Sequence, residues 1–344
     1  MSTCFHQFVA LALLITLFAF PACRDENLQK KGDYFFLRSE GADMPIWVRG
    51  NRASGVFILM LHGGPGSTAQ AFPDFPGFQR LEQHYAMVYW DQRGAGISQG
   101  NPGQETMENL NQYVEDLDRV IALINARYAN PTIFLMGHSW GGLLGPAYLL
   151  DSGRQKKVKG WIEIDGAHNL REGKQLSRQW VVNYAQKAVI EGERVDFWQY
   201  ALNWYDKNPV ITDENLNLHS AYVTEAHGYT YYQQSDSSAI DYQKFIFQSP
   251  ISIAYFFSDF KQPIKILYID YTSQLKNITI PVLVIWGRHD GILPVALAYQ
   301  GFEAYGSRPE QKTLLILENS AHNTILEEPF NFANGVIRFV DAFK

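Results

Sequence analysis

The stretch PTIFLMGHSWGG, residues 131–142, decides the fold. Its first half, 131–136, is a short apolar run opened by proline and closed by glycine, which predicts a strand buried on both faces. Its second half, Gly137-His138-Ser139-Trp140-Gly141, has the spacing G-x-S-x-G. Leu143, Leu144, Ala147 and Tyr148 then recur at helical spacing. Strand, glycine-flanked serine and helix in that order describe a sharp turn that exposes the Ser139 hydroxyl, with small neighbours that avoid clashes. Ser139 is therefore read as a nucleophile.

Working outward, similar apolar runs end in glycine-rich or polar clusters. Residues 56–61 end in HGGPG, 85–90 in DQRGAG, 158–164 at Asp165-Gly166, 282–286 in GRHDG, and 313–317 shortly before Ala321-His322. Residues 34–37 and 46–49 predict two paired strands with a turn at 41–43. Residues 108–128 carry Leu110, Val114, Leu117, Val120, Ile121 and Ile124 at helical spacing. Repeated strand, helix, strand predicts an α/β fold with a doubly wound, mostly parallel sheet. The polar clusters all fall at strand C-terminal ends, where such sheets place their sites.

From 167 to 276 no strand signal interrupts a crowd of aromatics, among them Trp180, Tyr184, Trp198, Trp204, Tyr205, Tyr222, Tyr229 and Phe245. A hundred residues is too long for a bare loop, so this segment is read as a helical cap inserted over the site. The core then comprises 34–166 and 277–344.

The chain has 344 residues, 46% hydrophobic and 19% charged, with a formal net charge of −6. That composition suits a globular core, and the absence of a basic run excludes nucleic acid as a partner. Residues 8–20 form an apolar run broken by Thr16 alone, too short to span a bilayer but matching the core of a secretory signal over 1–22. The two cysteines, Cys4 and Cys23, both lie in or beside this leader. Cys23 follows Ala22 and precedes a polar linker over 23–33, in the manner of a lipobox, whose cysteine is lipidated. The expectation is an exported protein, in a bacterial periplasm or tethered to a membrane by lipid on Cys23. A plain signal peptide with an incidental cysteine is the alternative.

Acyl transfer needs a base for the serine, an acid to orient the base, and donors for the developing oxyanion. Of nine histidines, His322 is chosen by its place after the last strand. Asp290 lies in the loop GRHDG, and Asp165, at another strand end, is its rival. The N–H of Trp140 is one oxyanion donor. The other comes from the HGGPG loop, with Gly64 preferred and Gly63 second, because Pro65 has no N–H. No His, Cys or carboxylate cluster has metal-ligand spacing, and DQRGAG is not a dinucleotide fingerprint, so no cofactor is expected. An Arg–Asp pair bracing the loops is the better reading of DQRGAG.

HGGPG at 62–66, DQRGAGIS at 91–98, the GxSxGG elbow, GRHDG at 287–291 and AHN at 321–323 together resemble the proline iminopeptidase branch of the α/β-hydrolases. The resemblance covers about 56–165 and 281–330. It implies Ser139, Asp290 and His322 as the triad, beneath a helical cap. It also implies acidic cap residues that grip a substrate's free amine, for which Glu172, Glu191, Glu193 and Glu225 are the candidates. The elbow departs from the branch's frequent GGSWG or GSSYG by carrying His138, a form widespread among esterases. Three activities follow as expectations. One is a serine aminopeptidase releasing N-terminal proline or small apolar residues from short peptides. Another is an esterase or amidase on small apolar esters, amides or lactones. The third is a non-catalytic ligand-binding relative.

Overall fold

A computed structural model of the chain describes residues 32–107, 109–231 and 268–344. The leader 1–22, Cys23 and most of the linker lie outside them, as do the cap aromatics beyond Tyr231, such as Phe245. Residues 34–344 form one compact unit.

Among the described residues nine strands make one sheet: β1 (Asp33–Ser39), β2 (Ala42–Gly50), β3 (Val56–Leu61), β4 (Ala86–Trp90), β5 (Gln99–Gly100), β6 (Thr132–His138), β7 (Gly160–Ile164), β8 (Val282–Gly287) and β9 (Lys312–Leu317). Their spatial order is β1-β2-β4-β3-β6-β7-β8-β9, with β5 paired to β2. β2 runs antiparallel to β4, and the neighbours from β4 through β9 are parallel. The fold is thus the expected α/β arrangement with a mostly parallel sheet.

The continuous apolar runs have a simple cause. Along β3, Phe57, Leu59 and Leu61 enter the core on one face of the sheet, while Val56, Ile58 and Met60 enter the core on the other. β4, β6 and β8 divide their residues the same way. Helix α1 (Pro76–His84) and helix α8 (Pro329–Phe343) cover one face; α2 (Leu110–Arg127), α3 (Gly141–Leu149) and α7 (Ala296–Ala304) cover the other. The chain leaves β3 toward β4 on one side and later returns to β6 on the other. This reversal opens a crevice beyond the C-terminal ends of β3 and β6, where the HGGPG loop meets the serine turn.

Between β7 and β8, helices α4 (Leu170–Ile190), α5 (Val195–Lys207) and α6 (Leu216–Glu225) form the helical insertion. It has a core of its own, with Val181, Ala185, Trp198, Tyr205, Tyr222 and Val223 buried together. The aromatic crowding of this segment is therefore partly the price of a second, small hydrophobic centre.

The loop after β4 is held by charge buried in the core. Arg93 is fully buried and forks onto Asp116 of α2, with Nε 2.6 Å from Oδ2 and Nη2 2.9 Å from Oδ1. Its Nη1 donates to Thr106 Oγ1 at 2.9 Å. Asp91 accepts from Thr68 Oγ1 and from the N–H groups of Ala69 and Ile97. The DQRGAG loop is thus a brace that locks neighbouring loops, with Asp116 as the partner of Arg93. Arg93→Met should leave the buried Asp116 carboxyl without its cationic partner, and cost about 3–5 kcal/mol of stability. Urea unfolding measures this, and a loss below ~1 kcal/mol would contradict the brace.

Candidate active site

Ser139 sits at the turn between β6 and α3 with φ +54. A left-handed conformation costs a non-glycine residue about 1–2 kcal/mol, so the turn must be held from outside. Ser139 N–H donates to the Ile164 carbonyl at 3.0 Å, and its own carbonyl accepts from Gly142 at 2.8 Å and Ala167 at 3.0 Å. The flanking glycines are needed for close approach. A Cβ on Gly137 would lie 2.4 Å from the Gly141 carbonyl oxygen, and one on Gly141 would lie 2.0 Å from that of Leu61.

His322 Nε2 is 3.0 Å from Ser139 Oγ, and His322 Nδ1 is 2.8 Å from Asp290 Oδ2. An ionised carboxylate only accepts, so the proton belongs on Nδ1 and leaves Nε2 to receive the serine proton. Asp290 Oδ1 accepts from the N–H groups of Ile292 and Leu293, both at 2.8 Å. The structure thus brings Ser139, His322 and Asp290 together. Asp165 is engaged elsewhere, accepting from Gly287 N–H at 2.8 Å and Thr324 Oγ1 at 2.6 Å. Burial raises both carboxyls, and the neighbouring Asp290 charge raises Asp165 further.

The histidine loop is fixed by several partners. Glu327 Oε2 accepts from Ala321 N–H at 2.8 Å, and His289 N–H donates to the Ser320 carbonyl at 2.9 Å. His138, the departure noted in the elbow, places Nε2 2.9 Å from the His322 carbonyl, joining nucleophile turn to base loop. His62 is structural too. Its Nε2 accepts from Gln92 N–H at 3.1 Å, so Nδ1 donates to the Gly63 carbonyl at 2.8 Å. Gln92 Oε1 accepts from the Trp140 indole at 2.8 Å, closing a link from the HGGPG loop to the residue after the serine. Gly63 abuts Ser139, since a Cβ there would lie 3.4 Å from Ser139 Cβ; Gly64 follows with a positive φ of +114, which favours glycine.

The insertion touches the site through α4 and through 228–231. Tyr205 O–H donates to His219 Nδ1 at 2.8 Å, His219 Nε2 is 2.9 Å from Ser177 Oγ, and Ser177 donates to the Gly291 carbonyl. Asn323 Nδ2 donates to the Tyr229 carbonyl and to Thr230 Oγ1, both at 3.2 Å. The Tyr229 ring lies 5.9 Å from that of His322.

The four cap glutamates do not converge on Ser139. Glu172 is exposed and accepts from Gln300 Nε2 at 2.6 Å and Asn169 Nδ2 at 3.0 Å. It lies off the inward stripe of α4, on which Leu170, Gly173, Ser177 and Val181 are buried. Glu191 is exposed, 3.8 Å from Lys187. It lies about 21 Å along the helix from Ser177. Glu225 pairs with Arg194 at 2.6 Å. Glu193 borders a separate cavity of about 260 Å³ with Arg194, Glu225, Tyr184, Trp198, Thr224 and His227. The cation of α4 whose charge is felt by Asp290, His322 and His219 is Lys174. It went unremarked in the sequence, although it stands four residues after Leu170 and seven before Val181, a charge on an otherwise apolar stripe.

Comparison with known proteins bears on the fold. The profile of the alpha/beta hydrolase fold matches residues 56–329. The chain belongs to the α/β-hydrolase family. This hydrolase is 23% identical over 305 residues to the Bacillus subtilis (strain 168) protein named "Probable aminopeptidase YbaC", covering 85% of this chain and 91% of the relative. It is 26% identical over 291 residues to a proline iminopeptidase of Heyndrickxia coagulans, covering 80% of this chain and 87% of the relative. Its fold is similar to the crystal structure of VinJ, with TM-score 0.67 and 20% identity over 91% of this chain and 99% of that one.

His322 is drawn down to about 3 by burial first and by the Lys174 charge second. A base is lost when it is protonated, so a lowered value keeps this imidazole competent well below the ordinary histidine range. kcat/KM for an aryl ester, measured from pH 7.5 to 5 under conditions that preserve the fold, should hold its plateau. An acid limb centred near the ordinary value of about 6.5 would contradict that environment.

Proposed function

We propose that this α/β-hydrolase is a serine aminopeptidase of the proline iminopeptidase type, acting on short peptides with N-terminal proline or small apolar residues. The reading is carried by the Ser139–His322–Asp290 chain of contacts, 3.0 Å and 2.8 Å long, beneath a helical insertion. Relatives named as aminopeptidases, matched over most of their length, support the substrate class. In this mechanism Ser139 Oγ attacks the scissile carbonyl as His322 Nε2 takes its proton. Asp290 holds the imidazole and stabilises the imidazolium. The N–H groups of Trp140 and Gly64, with Gly63 as the alternative to Gly64, receive the oxyanion. His322 returns the proton to the leaving amine, and water then releases the acyl group by the same steps.

A second reading is favoured by one observation. Glu172, Glu191 and Glu225 are engaged with partners other than Ser139, while the charge of the insertion that His322 feels is a cation, Lys174. An esterase or amidase needs no grip on a free amine. The discriminating panel is a proline arylamide, its N-acylated form and a simple aryl ester. The peptidase reading expects turnover of the free-amine arylamide and little of the N-acylated form. Ester turnover with no arylamide turnover would reject it. Ser139→Ala should reduce every hydrolytic activity roughly 10⁴- to 10⁶-fold. Folded wild-type protein that takes up no fluorophosphonate label would remove both enzyme readings.

Export with a lipid tether at Cys23 is likewise proposed, on the apolar run 8–20 and the residues around Cys23. Cys23→Ala should release the protein from the membrane fraction, and unchanged fractionation would refute the tether.

A further inference from the structure

We propose that Asp165, the strand-end aspartate that does not pair with His322, is a positioning residue: its carboxylate joins the loop of Asp290 to the loop of His322 and so sets the registry of the three reacting side chains. The proposal rests on the serine-hydrolase reading above and on neither of its substrate classes.

The strand order puts Asp165 where such a joint is needed. β7 lies between β6 and β8 in the sheet. The turn after β7 therefore stands between the turn that carries Ser139 and the loop that carries Asp290. Its main chain holds the first of these. Ser139 N–H donates to the Ile164 carbonyl, and Ala167 N–H donates to the Ser139 carbonyl, both at 3.0 Å. On the other side, Asp165 N–H donates to the Ile285 carbonyl of β8 at 3.0 Å.

The side chain holds the two remaining loops. Asp165 Oδ1 accepts from the N–H of Gly287, the first residue of GRHDG, at 2.8 Å. Oδ2 accepts from Oγ1 of Thr324, just past His322, at 2.6 Å. The two oxygens of one carboxylate keep a fixed separation, so these bonds set Gly287 and Thr324 relative to each other. The loops also meet directly, since a Cβ on Gly287 would lie 2.0 Å from the Ala321 carbonyl oxygen. That contact limits how near the loops can come, and the carboxylate keeps them from parting. Asp165 and Thr324 are both fully buried, so solvent does not replace either bond. Losing the carboxylate would strand the Gly287 N–H and the Thr324 hydroxyl without an acceptor.

The backbone is adapted to the same end. Asp165 has φ +43, a left-handed conformation that Asp and Asn tolerate better than other side chains with a Cβ. Ser139 has φ +54, so two strained turns are bonded to each other. Such conformations persist only where the surroundings over-determine them. The chemistry says what the joint is for. A proton must pass from Ser139 Oγ to His322 Nε2 across 3.0 Å while Asp290 aims the ring from 2.8 Å. These groups arrive on separate strand ends, and a misplacement of ~1 Å costs on the order of 10²-fold in rate.

The test compares wild type with Asp165→Asn, Asp165→Ala, Thr324→Val and Thr324→Ser on 4-nitrophenyl acetate. The end-point of fluorophosphonate labelling first counts reactive Ser139, so that kcat is expressed per active site and misfolded protein drops out. Asn offers an oxygen to Gly287 N–H and an amide to Thr324 Oγ1, and Ser keeps the hydroxyl. Both should hold per-site kcat to within about 5-fold, the worth of one ordinary hydrogen bond. Thr324→Val should lose about 10-fold and Asp165→Ala about 100-fold, in kcat with KM little changed, and the labelling rate should fall in step. Thr324→Val leaves Asp165 in place, so the outcome does not depend on whether Asp165→Ala folds. Full per-site kcat in Thr324→Val, with only stability reduced, overturns the proposal, because that is the signature of a purely structural contact. An Asp165→Asn loss as deep as that of Asp165→Ala also overturns it, since the carboxylate's charge would then matter and not its pair of bonds. Wild type that takes up no label removes the serine-hydrolase reading and this proposal together.

Discussion

The backbone at Gly141 runs so close to Leu61 that a single methyl carbon would fall 2.0 Å from the Leu61 carbonyl oxygen. That approach sets the height of α3 over β3 and β6, and with it the angle at which the chain must turn at Ser139. A positive φ at the serine is the result, and three main-chain hydrogen bonds to and from Ser139 hold it there. The nucleophile's exposure is thus a property of the sheet and its first helix rather than of the serine. Everything else in the site is arranged to reach this one point.

The reaching is done by loops, and loops need internal struts. Two of these are buried and polar. The link from Gly63 through His62 and Gln92 to the Trp140 indole couples the loop after β3 to the residue that follows the serine. The fork of Arg93 on Asp116 anchors the next loop to α2. Apolar side chains would pack in either place, but they would not fix main-chain position to the tolerance that acyl transfer demands. DQRGAG is therefore scaffolding for the chemistry, and HGGPG is scaffolding as well as the loop proposed to supply an oxyanion donor.

The parallel strands were legible because both faces of the sheet are covered, which turns each strand into an unbroken apolar run ended by glycine. The meeting of Ser139, Asp290 and His322 was legible for a related reason, since strand ends are few and these residues sit just beyond them. Other elements lacked such signals. β5 is two residues long and exposed. Helices α1 and α8 each open with a proline in the first turn, a signal present in the sequence but unused. The insertion was readable as helical, yet the direction of its acids was not. Ser177 meets Gly291 across 114 residues of sequence, and Asn323 meets Tyr229 across 94. Such pairings decide which stripe of α4 faces inward, and so bury Gly173 and Ser177 and leave Glu172 outside. No local pattern encodes them.

The chain from Tyr205 through His219 and Ser177 to Gly291 begins in the small core of the insertion and ends on the residue next to Asp290. Gly291 N–H also donates to the Gly228 carbonyl, so the acid loop is bound to the insertion by both its donor and its acceptor. The insertion is therefore not a detachable cover. A chimera that exchanged residues 167–276 for another cap would have to bring a matching loop after β8, because the imidazole's orientation is set partly from above. In this architecture the insertion and the loop that orients the His322 imidazole are mechanically one piece.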